Sequence, residues 1–252
     1  KGRTREFFQW NIDLLGTDSP ASDAELLAIC STFFKNVGLS SDQVKIFVNN
    51  RQLMESVIND LGIPSDLKQN VFRLVDRRDK LSEKDWYDLA MKSGLTDGQF
   101  HGLKNTLADE NLWKRSEDLK KLFETLDALG VSDYIEYDSQ IIRGLDYYTG
   151  VVFEARDIDK EGRAILGGGH YGNLVGDVGG DALPGVGFAM GDVMIRLVLE
   201  KYGCIPLFPA TSAQVLVTIF EENLQVESFK LASDLRTAGI KTASVNEFSK
   251  IQ

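Results

Sequence analysis

The segment Arg143–Gly150 (RGLDYYTG) brings a guanidinium, a carboxylate, two phenols and two glycines into eight residues. An arginine side chain stays ionised and donates paired hydrogen bonds to oxyanions, so Arg143 is suited to binding a carboxylate or a phosphoryl group. A bent strand with interface tyrosines has the same composition. The residue types therefore leave a binding site and a structural bend both open.

A second group of polar side chains shares one face of a strand predicted over residues 5–16. Apolar residues occupy one parity of this stretch, and mainly polar residues occupy the other. In a regular strand, residues of one parity point the same way. The residues on the mainly polar face are Arg3, Arg5, Phe7, Gln9, Asn11 and Asp13. This face could line a substrate trough or form a solvated edge, and the alternation does not separate the two.

Composition excludes several classes of function. The formal net charge of −10 argues against a uniformly basic surface, although nucleic-acid binding depends on the local placement of Lys and Arg. Two distant cysteines, Cys30 and Cys204, make a disulfide framework or a structural zinc site improbable, and two histidines exclude a three-histidine metal centre. We therefore predict no protein-held metal. No long apolar run and no signal sequence is visible, which favours a cytoplasmic protein.

The elements that must position these residues are predicted to form an α+β protein. Residues 1–52 contain strand, helix and strand signals, with a capping box at Ser22–Glu25 predicted to open the helix. Residues 53–130 carry short charged helices, as in an insertion, with helix start signals at Ser82, Thr96 and Ser116. Strand signals return over 131–208, at Ile141–Ile142 and Val151–Ala155 among others, before a helix whose N-cap is predicted at Asp192. From 209 to 252 the order is βαβ, which predicts parallel pairing.

Four segments of the sequence resemble motifs of the histidyl-tRNA synthetase family. The segment Arg143–Gly150 closely resembles the first histidine-specific motif of that family, and residues 3–13 resemble the second half of class II motif 2. Gly167–Leu174 is similar to the second histidine-specific motif, and Gly185–Gly191 is similar to the strand of motif 3. The resemblance spans nearly the whole chain and implies that the chain is cut short at both ends.

The resemblance implies a fold and a domain organisation. It predicts the class II synthetase antiparallel sheet with flanking helices, with residues 1–52 and 131–208 forming parts of the catalytic core. Residues 53–130 would form a helical insertion, and residues 209–252 would be the N-terminal part of an α/β anticodon-binding domain. A homodimer is also implied.

The resemblance further implies roles for individual side chains. Arg143 would be catalytic, because it would stabilise charge that develops on the α-phosphate. The ATP-binding residues would be Arg3, which would hold the triphosphate, Arg5, and Phe7, which would stack on adenine. The histidine-binding residues would be Gln9, at the backbone of the substrate, Asp13 and Tyr148, at the two imidazole nitrogens, and Tyr147. ATP and Mg²⁺ are implied in the same way.

The chain departs from the family pattern at three positions. The second histidine-specific motif usually carries arginine and aspartate where this chain has His170 and Gly172. We therefore assign neither residue a catalytic role and expect His170 to be structural or peripheral. Motif 3 usually supplies an arginine just inside its helix, where this chain has Met194, with Arg196 two positions away. The resemblance therefore assigns no residue here to the γ-phosphate.

The predicted function is a histidine–tRNA ligase that uses ATP to activate histidine and transfers it to tRNA(His). Because motif 1 and part of motif 2 are not visible, we expect this chain alone to be inactive. The alternative is a non-catalytic paralogue, such as the regulatory subunit of ATP phosphoribosyltransferase or a synthetase-like regulatory domain. The βαβ segment after residue 209 and the residues Gln9, Asp13, Arg143 and Tyr148 favour the ligase.

Overall fold

The computed structural model describes residues 6–142, 147–159, 163–177, 179–207 and 211–248. The chain divides into two compact units, Lys1–Ile205 and Pro206–Gln252. The strands and helices of the first unit, in chain order, are β1 (Gln9–Leu15), α1 (Pro20–Asn36), β2 (Val44–Asn50), α2 (Arg51–Asp60), α3 (Lys68–Asp76), α4 (Glu83–Lys92), α5 (Asp97–Leu107), α6 (Glu117–Ala128), β3 (Ile135–Tyr137), β4 (Val151–Asp157), β5 (Leu166–Tyr171), α7 (Leu174–Asp177), β6 (Gly185–Gly191) and α8 (Asp192–Lys201).

The described part of the first unit holds a sheet of six strands in the order β1-β6-β5-β4-β2-β3. Its pairs are antiparallel, as predicted, except for β2 and β3, which run parallel. Helices flank this sheet, and the predicted α+β class is confirmed. One correction concerns the strand predicted at Ile141–Ile142. Those residues are buried outside any strand, and the chain pairs with β2 earlier, at Ile135–Tyr137.

The glycine run of β5 lets three strands approach closely at the centre of the sheet. A Cβ atom at Gly168 would collide with the backbone carbonyl oxygen of Gly187 and would lie 2.5 Å from Cζ of Phe153. The Phe153 ring therefore occupies the space that a side chain at position 168 would need. This face of the sheet, which we call the back face, is covered by α1, with Trp10 packing against Phe33 of that helix.

Helix α1 begins earlier than its capping box predicts. Its N-cap is Ser19, whose Oγ accepts a hydrogen bond from the backbone N–H of Ala21 at 3.2 Å, and Pro20 occupies the first helical position. The capping box predicted at Ser22–Glu25 is therefore wrong. Asp23 instead lies inside the helix and faces the back of β5.

A buried contact between histidine and aspartate fixes α1 to the back face. Nδ1 of His170, on β5, lies 2.8 Å from a carboxylate oxygen of Asp23, and both residues are buried. Nε2 of the same ring lies 3.1 Å from a carboxylate oxygen of Asp18. The hydrogen bond to Asp23 raises the pKa of His170, against the opposing effect of burial. His170 therefore occupies a structural position on the back face.

Helices α4, α5 and α6 begin where local sequence signals predict. Ser82 and Ser116 cap α4 and α6, and Thr96 forms a capping box with Gln99 at the start of α5. The Trp86 ring, in α4, is fully buried and donates its indole N–H to the Leu74 carbonyl at 2.9 Å.

Helix α8 differs from the prediction at its start. Its N-cap is Gly191, so Asp192 is the first helical residue and not the cap. Ile195 and Val198 are buried, whereas Leu197 is exposed. The acidic side chain at the first position still suits the positive end of the helix dipole.

The second unit contains β7 (Val215–Val217), α9 (Gln225–Thr237) and β8 (Thr242–Ser244). The two strands pair in parallel, as their βαβ order predicts. In neither unit does a described helix have the length and apolar character needed to cross a membrane.

We expect Gly168→Ala to lower the free energy of unfolding by about 1–3 kcal/mol, because the new methyl group must displace a backbone carbonyl or the Phe153 ring. The matched control is Gly98→Ala in α5, where an added Cβ meets no atom within 4 Å. This control should be neutral or stabilising by up to about 1 kcal/mol. Urea denaturation of the two variants provides the measurement. Equal stabilities would contradict the close packing of β5.

The free energy of unfolding should also depend on pH through His170. Its folded pKa lies above the ordinary value of 6.5, so the folded state binds the proton more tightly, and stability should fall as pH rises from 6.5 through the raised pKa. Asp23→Asn should flatten this slope in urea denaturation between about pH 6 and 9. His101→Gln, at an exposed histidine of α5, should leave it intact. An undiminished slope in Asp23→Asn would assign the dependence to another group.

Candidate functional site

The residues on the polar face of β1 pair with a row of small residues on the neighbouring strand β6. Residues of this face are exposed, and each is paired with a glycine or alanine across the antiparallel ladder. The pairs are Gln9 with Gly191, Asn11 with Ala189 and Asp13 with Gly187. Small partners leave open space on this front face, opposite the face that α1 covers.

Asp13 is held in place by a tyrosine from β5. The hydroxyl of Tyr171 donates a hydrogen bond to a carboxylate oxygen of Asp13, at 2.8 Å. The carboxylate also lies directly above Gly187, where any Cβ atom would collide with it. Burial and this hydrogen bond both raise the pKa of Tyr171, so its hydroxyl remains a proton donor.

Tyr147 and Tyr148 complete an aromatic wall around this carboxylate. Their ring centroids are 4.7 Å apart, and the Tyr147 ring meets Tyr171 edge-on at 6.0 Å. The Tyr148 ring lies above Gly169, where an added Cβ would lie 2.9 Å from Cδ1 of the ring. The pKa of Tyr148 is raised by burial first, then by Tyr147 and by the charge of Asp13. The carboxylate and this phenol therefore interact electrostatically.

Two remote elements fix the backbone at Tyr148. The side chain of Arg51, at the start of α2, donates through Nη1 to the Tyr148 carbonyl at 2.9 Å, and its backbone N–H donates to the Gly150 carbonyl. The N–H of Thr149 donates to the His170 carbonyl at 2.8 Å. The backbone before β4 is thus held from both sides, which orients the Tyr148 ring over the glycines.

Sequence analysis did not identify Arg51 or Tyr171 as part of this site. Tyr171 has the same parity on β5 as Gly167 and Gly169, so the strand pattern could have placed it on the front face. Arg51 lies 97 residues from Tyr148 in the chain, and no local signal marks the contact. Glu154 and Arg156, which pair at 2.6 Å, are also on the front face and were not singled out.

A cavity of about 270 Å³ opens at the other end of β1. Its lining residues come from β1, β5, β6, α8 and the segment before β5: Phe7, Gln9, Arg163, Ala164, Ile165, Leu166, Gly167, Ala189, Gly191, Val193 and Met194. The two ends of the trough therefore differ in chemistry. One end carries the Asp13 carboxylate among phenols, and the described lining of the other is neutral apart from the guanidinium of Arg163.

The predicted site residues divide into two groups. Asp13, Tyr147 and Tyr148 come together in one pocket, and Phe7 and Gln9 line the neighbouring cavity. The remaining three, Arg3, Arg5 and Arg143, lie outside the residues that the structure describes.

Within the residues that the structure describes, no group of three or more His, Cys, Asp or Glu side chains is arranged to hold a metal ion. Mg²⁺ in proteins is commonly held by one or two carboxylates together with phosphate oxygens of a substrate.

The geometry suits a ligand with a small planar polar group. A carboxylate and hydroxyl groups within one aromatic cluster can hydrogen-bond a ring that carries both a donor and an acceptor. The cavity, whose described lining has one guanidinium and no carboxylate, suits an anionic portion of the ligand. This portion would lie about four strand residues from the carboxylate, or roughly 13 Å. The trough can thus hold an elongated ligand, or two adjacent ligands, with opposite charge requirements at its ends.

Comparison with known proteins agrees with this arrangement. The family model for histidyl-tRNA synthetase matches residues 1–193. Histidine–tRNA ligase of Opitutus terrae is 37% identical, with 96% of this chain and 59% of that protein aligned. The chloroplastic/mitochondrial histidine–tRNA ligase of Arabidopsis thaliana is 32% identical over 95% of this chain and 51% of that protein.

A crystal structure of histidyl-tRNA synthetase from a Nostoc species superimposes with a TM-score of 0.82 at 27% identity, covering 98% of this chain and 62% of that one. The chain thus spans 51–59% of the length of the two curated relatives above. Both the family motifs and the fold agree over the residues that build the front face. The chain belongs to the histidyl-tRNA synthetase family.

Proposed function

We propose that the protein is a histidine–tRNA ligase, which activates histidine with ATP and transfers the histidyl group to tRNA(His). The observation that carries the proposal is the pocket in which Tyr171 holds the Asp13 carboxylate beside Tyr147 and Tyr148. A neutral imidazole has one N–H donor and one nitrogen acceptor, and this pocket offers an anionic acceptor and phenol donors.

In this proposal, Asp13 and Tyr148 select the substrate side chain. Asp13 accepts from one imidazole N–H, and the Tyr148 hydroxyl donates to the other nitrogen. Apolar side chains of similar size are rejected, because on binding they would remove water from these polar groups and give them no new partners. The Tyr147 ring packs against the rings of Tyr148 and Tyr171. Gln9, the first residue of β1, is assigned to the backbone of the substrate histidine.

The ATP half of the proposal uses the cavity at the start of β1. Phe7 supplies a flat aromatic surface for adenine, and the proposed ATP ligands Arg3 and Arg5 precede Phe7 in the sequence with the same parity. Arg143 is proposed to stabilise the negative charge that develops when the histidine carboxylate attacks the α-phosphorus and pyrophosphate leaves. Mg²⁺ bound to the phosphates would neutralise part of their charge.

The proposed partners are histidine, ATP, tRNA(His) and a second copy of the protein, since the family resemblance implies a homodimer. A cytoplasmic location is likewise proposed from the sequence. The name of the Arabidopsis relative assigns that protein to organelles, so relatives serve more than one compartment.

Histidine-dependent exchange between ATP and pyrophosphate by the full-length protein tests the proposal. Arg143→Ala should lower the kcat of exchange by roughly 10²–10³ while the KM for histidine changes little, because the lost contact acts in the transition state. Arg143→Lys should not restore the rate, since lysine lacks the two-pronged geometry. A wild-type protein without exchange activity would favour the non-catalytic paralogue.

A double-mutant cycle tests the selection of histidine. Asp13→Asn should weaken histidine binding by about 1.5–3 kcal/mol, and Tyr148→Phe by about 0.5–1.5 kcal/mol, as for hydrogen bonds with and without a charged group. The two effects should not add, because both act through one ring. Isothermal titration measures them. The matched control is Tyr134→Phe, whose hydroxyl bonds the Leu39 carbonyl at 2.8 Å. Strict additivity, or unchanged affinity in Asp13→Asn, would contradict the assignment.

A further inference from the structure

Among the described residues that line the cavity beside Phe7, Arg163 carries the one charged side chain. Aliphatic side chains, glycines, alanines, one phenylalanine and the amide of Gln9 form the rest of the wall. With no carboxylate among these residues, the electrostatic character of the described lining is positive. Such a cavity attracts an anionic group more strongly than a neutral one.

The guanidinium of Arg163 is exposed and forms no ion pair or hydrogen bond with any residue that the structure describes. The neighbouring arginines differ in this respect. Arg156 pairs with Glu154 on the front face, and Arg196 pairs with Glu200 along α8. Arg163 is therefore the cation in this region whose charge is not neutralised by a described partner.

The same cavity is also lined by the position where the family motif has its arginine. That position is Met194, which lines the cavity together with Val193. Arg196 follows two residues later, but it is not part of the lining, and its side chain is 74% exposed. Positive charge reaches this cavity from the segment before β5 and not from α8.

The strand register places Arg163 at the end of the trough remote from the Asp13 pocket. On one side, Asp13 of β1 pairs with Gly187 of β6. On the other, Trp10 of β1 pairs with Met190 of β6, and Met190 pairs with Leu166, the first residue of β5. Arg163 precedes Leu166 by three residues and lies next to Phe7 and Gln9 in the cavity wall. A ligand whose reacting phosphate lies toward Asp13 therefore extends the groups beyond that phosphate into the cavity that Arg163 lines.

We propose that Arg163 binds the terminal phosphates of ATP and supplies here the positive charge that the motif 3 arginine supplies elsewhere in the family. The inference rests on the proposed function, because it takes ATP as the ligand of this cavity. A guanidinium at the cavity rim can donate two parallel hydrogen bonds to the β- and γ-phosphate oxygens. Met194 then contributes apolar contact and no charge.

The test is the binding of ATP and of AMP, each with Mg²⁺, to the full-length protein. Arg163→Ala should weaken ATP binding about 10- to 100-fold, the effect of one charge-assisted contact, and should change AMP binding less than about twofold. The matched control is Arg196→Ala, which removes an arginine outside the cavity lining and should change neither dissociation constant. Arg163→Lys should recover only part of the loss.

A second variant keeps the test decisive. Introducing Met194→Arg into the Arg163→Ala protein should restore the preference for ATP over AMP, since Met194 lines the same cavity as Arg163. Equal losses for ATP and AMP would overturn the inference in favour of an adenine or packing role. Weakened tRNA binding with unchanged ATP binding would overturn it in favour of a contact with RNA phosphate.

The exchange assay separates this inference from the proposed function. If histidine-dependent exchange is present and Arg163→Ala binds ATP like the wild type, the inference alone fails. If exchange is absent but Arg163→Ala still weakens the binding of ATP and not that of AMP, the proposed function fails and the role of Arg163 stands.

Discussion

The close approach of β4, β5 and β6 at the centre of the sheet is the constraint on which the rest of the structure depends. On the back face, Gly168 makes room for the Phe153 ring, and on the front face Gly169 and Gly187 lie beneath Tyr148 and Asp13. A side chain at any of these glycines would meet an atom already in place. The same strands thus set the packing of the core and the depth of the pocket.

Alternation along β5 links this core to the site. His170 points to the back face, where Asp23 holds it, while Tyr171, the next residue, points to the front and holds Asp13. The back face is closed by α1, and the front face remains open because no described helix covers its small residues in the same way. Rigid attachment on one side therefore orients the side chains presented on the other.

The front face is electrically polarised along β1. An anionic carboxylate among phenols stands at one end, and a guanidinium beside neutral walls stands at the other. This polarity matches the proposed pair of substrates, an imidazole with an N–H donor and a polyphosphate. In the proposed role of Arg163, positive charge enters the cavity from the segment before β5, while Met194 of α8 contributes no charge.

The sequence by itself determined the features that depend on near neighbours. Ser82, Thr96 and Ser116 cap their helices through contacts three residues away, and the parity of β1 placed Gln9 and Asp13 on one face. The motif resemblance identified the family. These signals are readable because each partner lies within a few positions of the other.

Only the tertiary structure decided the contacts that join remote segments. Tyr171 meets Asp13 across 158 residues, and Arg51 meets the Tyr148 carbonyl across 97. Asp23 faces His170 and does not close the predicted capping box, because α1 starts at Ser19 and lies against the back of β5. Strand order and register set these pairings, and neither is encoded in the spacing of residues along one segment.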